Sequence, residues 1–333
     1  MTTIRDVAAL AGVSVATVSR ALSGNPRVTA ETREKVEAAA AALDYRPNAV
    51  AAAMRTGRTG TVGLVIGDIT NPFMTRLAHH VETEVRKRGW VLAMACGQED
   101  PEEQEAVTRM LMRQRIDGLM IVLAANPTPN LMNLIHAGTP VVAVDREAGE
   151  CPAATIVADP APALADLASH LAEQGYHRPA IISGPSSVST GRPRAEHARA
   201  ALLDTGFAPE AITILEGDFT VASGTRAATA AIDHVDRPDA IIALSNLMTQ
   251  GALEVLHDRG ISVGPEIGLV GYDDEAWFTI ARPSVTAITQ PIHALAETGV
   301  QALADLIEGR PIDRNPPPLP GSRLVVRDST RRR

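Results

Sequence analysis

At Thr61 the chain changes rhythm. From there short apolar runs alternate with amphipathic stretches of helical period. TVGLVIG, WVLAMAC, GLMIVL and PVVAVD come first; ATIVAD, PAIISG, AITILEG, DAIIAL and IGLVGYD follow from residue 154. A parallel strand pair needs a long crossover between its strands, usually a helix. Such alternation therefore specifies mostly parallel sheets with helices on both faces. Two series predict two similar doubly wound subdomains, and ligands in such sheets sit beyond the carboxyl ends of the strands.

The first 60 residues follow a different pattern. Thr3 can cap a first helix, with Asp6 three positions on closing a capping box. Val7, Ala8 and Ala11 fall on one face. Gly12 permits a tight turn, Val13 fills the angle between two helices, and Ser14 caps the second. In Val15 to Leu22 the expected buried positions are Val18 and Leu22, which leaves Val15, Ala16, Ser19 and Arg20 open to a partner. Thr29 caps a third helix in which Val36, Ala39, Ala40 and Leu43 repeat at helical spacing. This is a helix-turn-helix layout, whose second helix fits the DNA major groove. The same caps and periods also fit a three-helix bundle with no DNA partner.

Charge separates the two regions. The net charge is −8, but residues 1–60 carry eight Lys and Arg against five Asp and Glu, while the remainder carries 23 against 34. A basic head suits phosphate contact, and an acidic body does not. With 333 residues and 45% hydrophobic side chains the chain can build two or three domains with full cores. Aromatics are only 3%, so those cores are expected to be aliphatic.

TIRDVAALAGVSVATVSRAL, followed by VTAETREKVEAAAAALDYRPNAVAAAMRTGRT, resembles the head and hinge of the LacI/GalR family of bacterial transcription regulators. By that resemblance Val15, Ala16 and Arg20 read bases, and Thr3, Ser14, Thr17, Ser19, Tyr45 and Asn48 touch the DNA backbone. Arg20 can donate two bonds to a guanine edge, whereas Val15 and Ala16 offer only apolar contact, as to a thymine methyl. Asn48 to Thr56 reads as one short helix after Pro47. Isolated helices under about 12 residues are marginal in water, so it should order only when supported. In the family that support comes from the minor groove and the partner's hinge, with an apolar wedge at the position of Met54.

The body is similar, more loosely, to the periplasmic-binding-protein fold used by the same family. The resemblance implies an all-α helix-turn-helix head plus an α/β periplasmic-binding-protein-like core of two doubly wound subdomains. It divides the chain into a head (1–46), a hinge and linker (47–60) and an effector-binding and dimerisation domain (61–330). Within the last, 61–159 combines with 290–321, and 160–289 combines with 322–330. The effector should bind between them, against Asn71, Phe73, Asp159, Ser189, Arg194, Phe219, Asn246 and Asp273. An Arg with Asp and Asn can satisfy sugar hydroxyls or a base edge, and Phe73 and Phe219 can offer stacking surfaces. Asn246 and Asp273 have equal standing as helix caps. The sequence departs from the family at Leu247, at His197-Ala198, at Pro160 and at Ala287, all flanking the expected pocket.

Other classes are disfavoured. There is no Walker, G-x-G-x-x-G, H-E-x-x-H or nucleophile-elbow motif, so an enzyme is not expected. Cys96 and Cys151 form neither a metal-spaced cluster nor a disulfide framework. Adjacent His79 and His80 do not share a helix face, so no metal and no cofactor is expected. MTTIRD lacks the regions of a signal peptide, and no apolar run approaches the ~18 residues of a membrane span. The expectation is a cytoplasmic regulator, a repressor as most members of the family are, with a pseudo-palindromic double-stranded operator, a small effector such as a sugar, and a homodimeric state. The alternative is a cytoplasmic sugar-binding protein on the same core. The tail PIDRNPPPLPGSRLVVRDSTRRR shows no heptads, and Arg331 to Arg333 read as a solvated end.

Overall fold

A computed structural model describes residues 2–22, 25, 27–45, 57–149, 151, 153–311 and 319–332. The chain forms two units, Met1–Gly60 and Thr61–Arg333. The expected roles of Asn48 and Met54 fall outside the described residues.

Caps set the three helices found among the described residues of the first unit. Helix α1 (Ile4–Ala11) begins where the Asp6 carboxylate accepts from the Thr3 backbone N–H at 2.7 Å and from the Thr3 hydroxyl at 2.8 Å. Those bonds hold the Asp6 carboxyl below its ordinary range. The helix stops at Gly12, which takes φ +65°, a left-handed conformation open to glycine at little cost. Helix α2 (Val15–Leu22) starts at Ser14, whose Oγ accepts from the Thr17 N–H at 3.1 Å. Helix α3 (Ala30–Ala42) is capped by Thr29. Val7, Ala8, Val18, Ala21, Val36, Ala39 and Ala40 form the core. On α2 the second buried residue is Ala21 and not the expected Leu22, which is half-buried. The small side chain lets α2 pack closely on its neighbours.

The second unit has two lobes. In the first, β1 (Thr61–Ile66), β2 (Val91–Cys96), β3 (Gly118–Ile121), β4 (Val141–Val144) and β5 (Ala154–Ile156) form a parallel sheet in the order β2-β1-β3-β4-β5. Helices α4 (Pro72–Lys87), α5 (Pro101–Arg113) and α6 (Pro129–His136) connect its strands. In the second lobe the sheet order is β11-β10-β9-β8-β6-β7. It contains β6 (Pro179–Ser183), β7 (Thr213–Glu216), β8 (Ala240–Ala243), β9 (Gly268–Tyr272), β10 (Thr286–Thr289) and β11 (Arg323–Val325). Among the described residues of this lobe only the β10–β11 pair is antiparallel. Helices α7 (Ala161–Glu173), α8 (Arg192–Asp204), α9 (Val221–Asp233), α10 (Asn246–Asp258) and α11 (Ala276–Ile280) belong to this half. Strand β10, TAIT, is absent from the apolar runs read in the sequence because half of its side chains are threonine.

Chain crossings join the lobes. After β5 the chain enters the second lobe; after β10 it returns as α12 (Ile292–Ile307), which packs on α4 and on β3, β4 and β5. It then closes the second sheet with β11. Central strands such as β3, β4, β6 and β8 are buried along their whole length, as parallel strands covered on both faces must be.

The C-terminal segment corrects one expectation. Ser329 and Thr330 are fully buried; the Ser329 hydroxyl accepts from the Thr286 N–H at 2.8 Å. Arg332 is not a solvated residue. Its guanidinium lies 4.2 Å from the Tyr176 ring centre and 3.3 Å from an Asp239 oxygen. Burial pushes the Tyr176 hydroxyl up to about 12. An aromatic face beside a carboxylate holds a planar cation well, which outweighs the tendency of a terminal arginine run to stay in water.

Candidate DNA-reading face and effector cleft

In the first unit Val18 and Ala21 point α2 into the core, so the opposite side faces out. Val15 is 41% exposed, and Ala16 and Arg20 are exposed as well. Thr3 and Ser14 are exposed at the starts of α1 and α2, and Thr17 and Ser19 are half-buried along α2. The Ser14 and Thr17 hydroxyls lie 2.9 Å apart. Tyr45 is half-buried and packs against the core of the three helices. The arrangement presents two apolar side chains and one guanidinium group on the exposed side of a fixed helix.

In the second unit the expected residues fall largely on one cross-lobe network. Asn71 caps α4 by accepting from the Phe73 N–H at 3.0 Å. The same oxygen accepts from Asn246 Nδ2, from the other lobe, at 2.9 Å. Asn246 also donates to Glu275 at 3.2 Å. Capping of α10 is done by Ser245, whose Oγ accepts from the Met248 N–H at 3.2 Å, and this frees Asn246 to reach across the cleft. Arg76, one turn into α4, donates to the carbonyls of Asp273 (2.6 Å) and Asp274 (3.2 Å) and pairs with Glu275 at 2.8 Å.

Arg194 sits at the centre, 8% exposed. It donates to the Leu244 carbonyl at 3.2 Å and stacks 4.1 Å from the centre of the Tyr272 ring. Asp273 accepts from the Gln290 amide at 2.8 Å. Burial pushes its carboxyl up to about 6, against the opposing pull of Arg194. Burial likewise raises Asp145, again opposed by Arg194, and one Asp145 oxygen has no hydrogen-bond partner. Asp145, Asp273 and Phe219 all take positive φ (68°, 74° and 64°). Strained backbone of this kind collects at ligand sites.

Phe219 rests on Gly184: a Cβ there would lie 2.1 Å from the ring. Its ring centre is 5.4 Å from the guanidinium carbon of Arg146, which belongs to the other lobe. Arg146 is 3% exposed and donates to Glu99 at 2.6 and 3.1 Å and to the Leu123 carbonyl at 2.7 Å. Ser189 completes the crossings, its Oγ accepting from the Glu147 N–H at 2.9 Å.

Two expected residues lie elsewhere. Phe73 is 3% exposed and packs in the core of the first lobe with Met74 and Leu77, because the buried face of α4 starts at its second residue. It offers no stacking surface to the cleft. Asp159 lies three residues beyond the end of β5, exposed in the crossover. Its carboxylate accepts from the Ala161 N–H at 2.9 Å and its carbonyl from the Ser322 N–H at 3.1 Å. Asp159 therefore ties two crossovers together. Conversely Arg76, Asp145, Arg146, Tyr272, Glu275 and Gln290 were not singled out. An Asp-Arg pair closing the run PVVAVDR was the available signal. Among the described residues no group of three or more His, Cys, Asp or Glu is placed to hold a metal.

Comparison with known proteins decides the family. Residues 3–48 match the profile of bacterial regulatory proteins of the lacI family, and residues 168–330 match a periplasmic binding protein-like domain. The HTH-type transcriptional repressor PurR of Aliivibrio fischeri is 31% identical over 318 residues, 94% of each chain. The chain belongs to the lacI family of transcription regulators. The Lac repressor dimer bound to operator superposes with a TM-score of 0.84 at 27% identity over 99% of both chains. A transcriptional regulator CelR in complex with cellobiose matches with a TM-score of 0.70 at 31% identity, over 99% of this chain and 100% of that one. Among the described residues of this lacI-family regulator, no helix is long and apolar enough to cross a membrane.

Proposed function

We propose that this protein is a cytoplasmic, homodimeric repressor that performs no catalysis and releases or grips its operator according to a small effector held between its lobes. The observation that carries the reading is the exposed set Val15, Ala16 and Arg20 on a helix whose other face is locked by Val18 and Ala21. Two such heads would read a pseudo-palindrome, with half-sites about one helical turn apart. Thr3, Ser14, Thr17, Ser19, Tyr45 and Asn48 would grip phosphates, and Met54 would enter the minor groove.

The switch is a competition for the cleft. The protein bridges its own lobes through Arg76, Asn246 and Ser189. We take residues 61–159 with 290–321, and 160–289 with 322–330, as the bodies that re-angle when an effector replaces or adds to these bridges. That motion would form or melt the 47–60 hinge. Moving a two-state equilibrium from 1:99 to 99:1 takes about 5.5 kcal/mol of differential binding. A few buried charge-assisted hydrogen bonds, at about 1.5–3 kcal/mol each, are of that size. The resemblance to a cellobiose-bound regulator supports a sugar as effector class.

The test is retardation of duplex DNA carrying a palindromic site. The regulator reading requires a retarded band whose affinity falls steeply with salt, since each phosphate contact releases counterions. A protein that never retards DNA, with or without sugars, would instead be a sugar-binding protein on the same core.

A further inference from the structure

A cavity of about 210 Å³ opens at the mouth of the cleft, among the loops that follow β3, β4 and β6. It is lined by side chains that include Asn126, Arg146, Glu147, Ser186, Ser187 and Ser189. Of the expected effector residues only Ser189 borders it; Arg194, Phe219, Asn246 and Asp273 lie on the inner network. Arg146 links the two regions, because its guanidinium also faces Phe219 at 5.4 Å.

The chemistry of the lining narrows what can bind. The charge of Arg146 is met by two bonds to Glu99, and Asp145 stands 4.0 Å away. Glu147 adds an exposed carboxylate. No net positive charge is left to draw an anion, so a phosphorylated ligand would be repelled. What remains are three serine hydroxyls and a carboxamide, groups that both donate and accept. Asn126, Ser186 and Ser187 are exposed at this mouth. The volume is below the about 300 Å³ at which pockets for drug-sized ligands begin, and so suits one ring rather than several.

We propose that this cavity is an outer subsite for a second, uncharged, hydroxyl-rich ring, so that the effector is a disaccharide whose first ring meets Arg194 and Asp273. The proposal rests on the effector-controlled reading above. Ser189 belongs to both parts of the idea: a ring seated against it contacts the side chain that bridges to Glu147 of the other lobe, so occupation of the outer subsite bears directly on lobe angle.

Thermal shift against maltose, cellobiose, lactose, trehalose and sucrose, with glucose, galactose, ribose, fructose and glucose 6-phosphate alongside, tests the assignment. A disaccharide should give the largest rise in melting temperature, and glucose 6-phosphate none. For that disaccharide Ser187→Trp, which fills the cavity from an exposed position, should weaken apparent affinity by about tenfold or more. Asn126→Ala, a milder change, should weaken it in the same direction while leaving the ligand-free melting temperature unchanged. The proposal is overturned if a monosaccharide or the phosphate gives the largest shift, if no sugar gives one, or if Ser187→Trp and Asn126→Ala both bind like wild type. Those outcomes leave the regulator reading standing as long as the protein retards operator DNA; loss of retardation in the wild type would sink that reading instead.

Discussion

The guanidinium of Arg76, one turn into α4, donates to the main-chain oxygen of Asp273 at 2.6 Å. The two residues lie 197 positions apart and in different lobes. Through this one side chain a helix start in one sheet is fastened to the turn that follows β9 in the other, with Glu275 completing the ion pair. Replacing Arg76 by Met keeps the stem and removes these contacts. Glu275, 7% exposed at its side chain, is then left without its cation. We expect a loss of about 2 kcal/mol in urea unfolding, together with a larger radius of gyration in solution scattering. An unchanged radius would mean that Arg76 does not hold the lobes together.

Arg194→Ala should abolish the thermal shift given by an effector and leave operator binding intact, because Arg194 lies in the cleft and not in the head. Arg194→Lys should not restore it. An ammonium group cannot both stack on Tyr272 and keep a planar fork of donors for a ligand. A normal shift in either variant would displace the proposed pocket.

Asp273 makes stability depend on pH in a predictable direction. Its folded carboxyl titrates near 6 against an ordinary value of 3.8, so the folded state holds the proton more tightly than the unfolded one. Stability therefore falls as pH rises from about 3.8 to about 6, and the cost persists above that window. Asp273→Asn should remove this slope. Between pH 4 and pH 7 wild type should lose on the order of 1–3 kcal/mol relative to the variant in urea titrations. Asp145, shifted in the same direction, adds to the wild-type slope and remains in the variant.

In the head, Arg20→Ala should cost about 1–3 kcal/mol of operator affinity and relax discrimination at one base pair per half-site. A panel of single-base operator variants would read this as a flattened profile. A uniform loss at every position would assign Arg20 to the backbone instead.

Much of this was legible in the sequence, for reasons that differ by residue. Strands β3, β4, β6, β8 and β9 announce themselves because a parallel strand covered on both faces must be apolar throughout. Strand β10 does not, since Thr286 is buried only by pairing its hydroxyl with the Arg327 N–H and the Thr330 hydroxyl, contacts made by a segment 41 and 44 residues away. The family resemblance points Phe73 at the pocket, but Phe73 is the second residue of α4. Helical period then takes over, placing Phe73, Leu77 and Val81 on one buried face. Asn246 showed the reverse: the cap it could have supplied is supplied by Ser245, and its amide turns to the far lobe. The cross-lobe pairs of Arg76 and Arg146 were not legible. No local period encodes which loops meet when two sheets face each other.

The buried Ser329 and Thr330, and Arg332 over Tyr176, have a consequence for how the protein is made. The lobe that begins at α7 (Ala161) is finished by a strand and turn that start only at Arg323. Domains fold broadly in order as they leave the ribosome. Residues 2–45, which share a core of their own, can fold early in synthesis, whereas the second sheet must wait with β10 uncovered until residues 323–332 emerge. During that interval a DNA-reading head would exist on a chain whose regulatory lobe is still open, and residues 323–332 set when regulation begins.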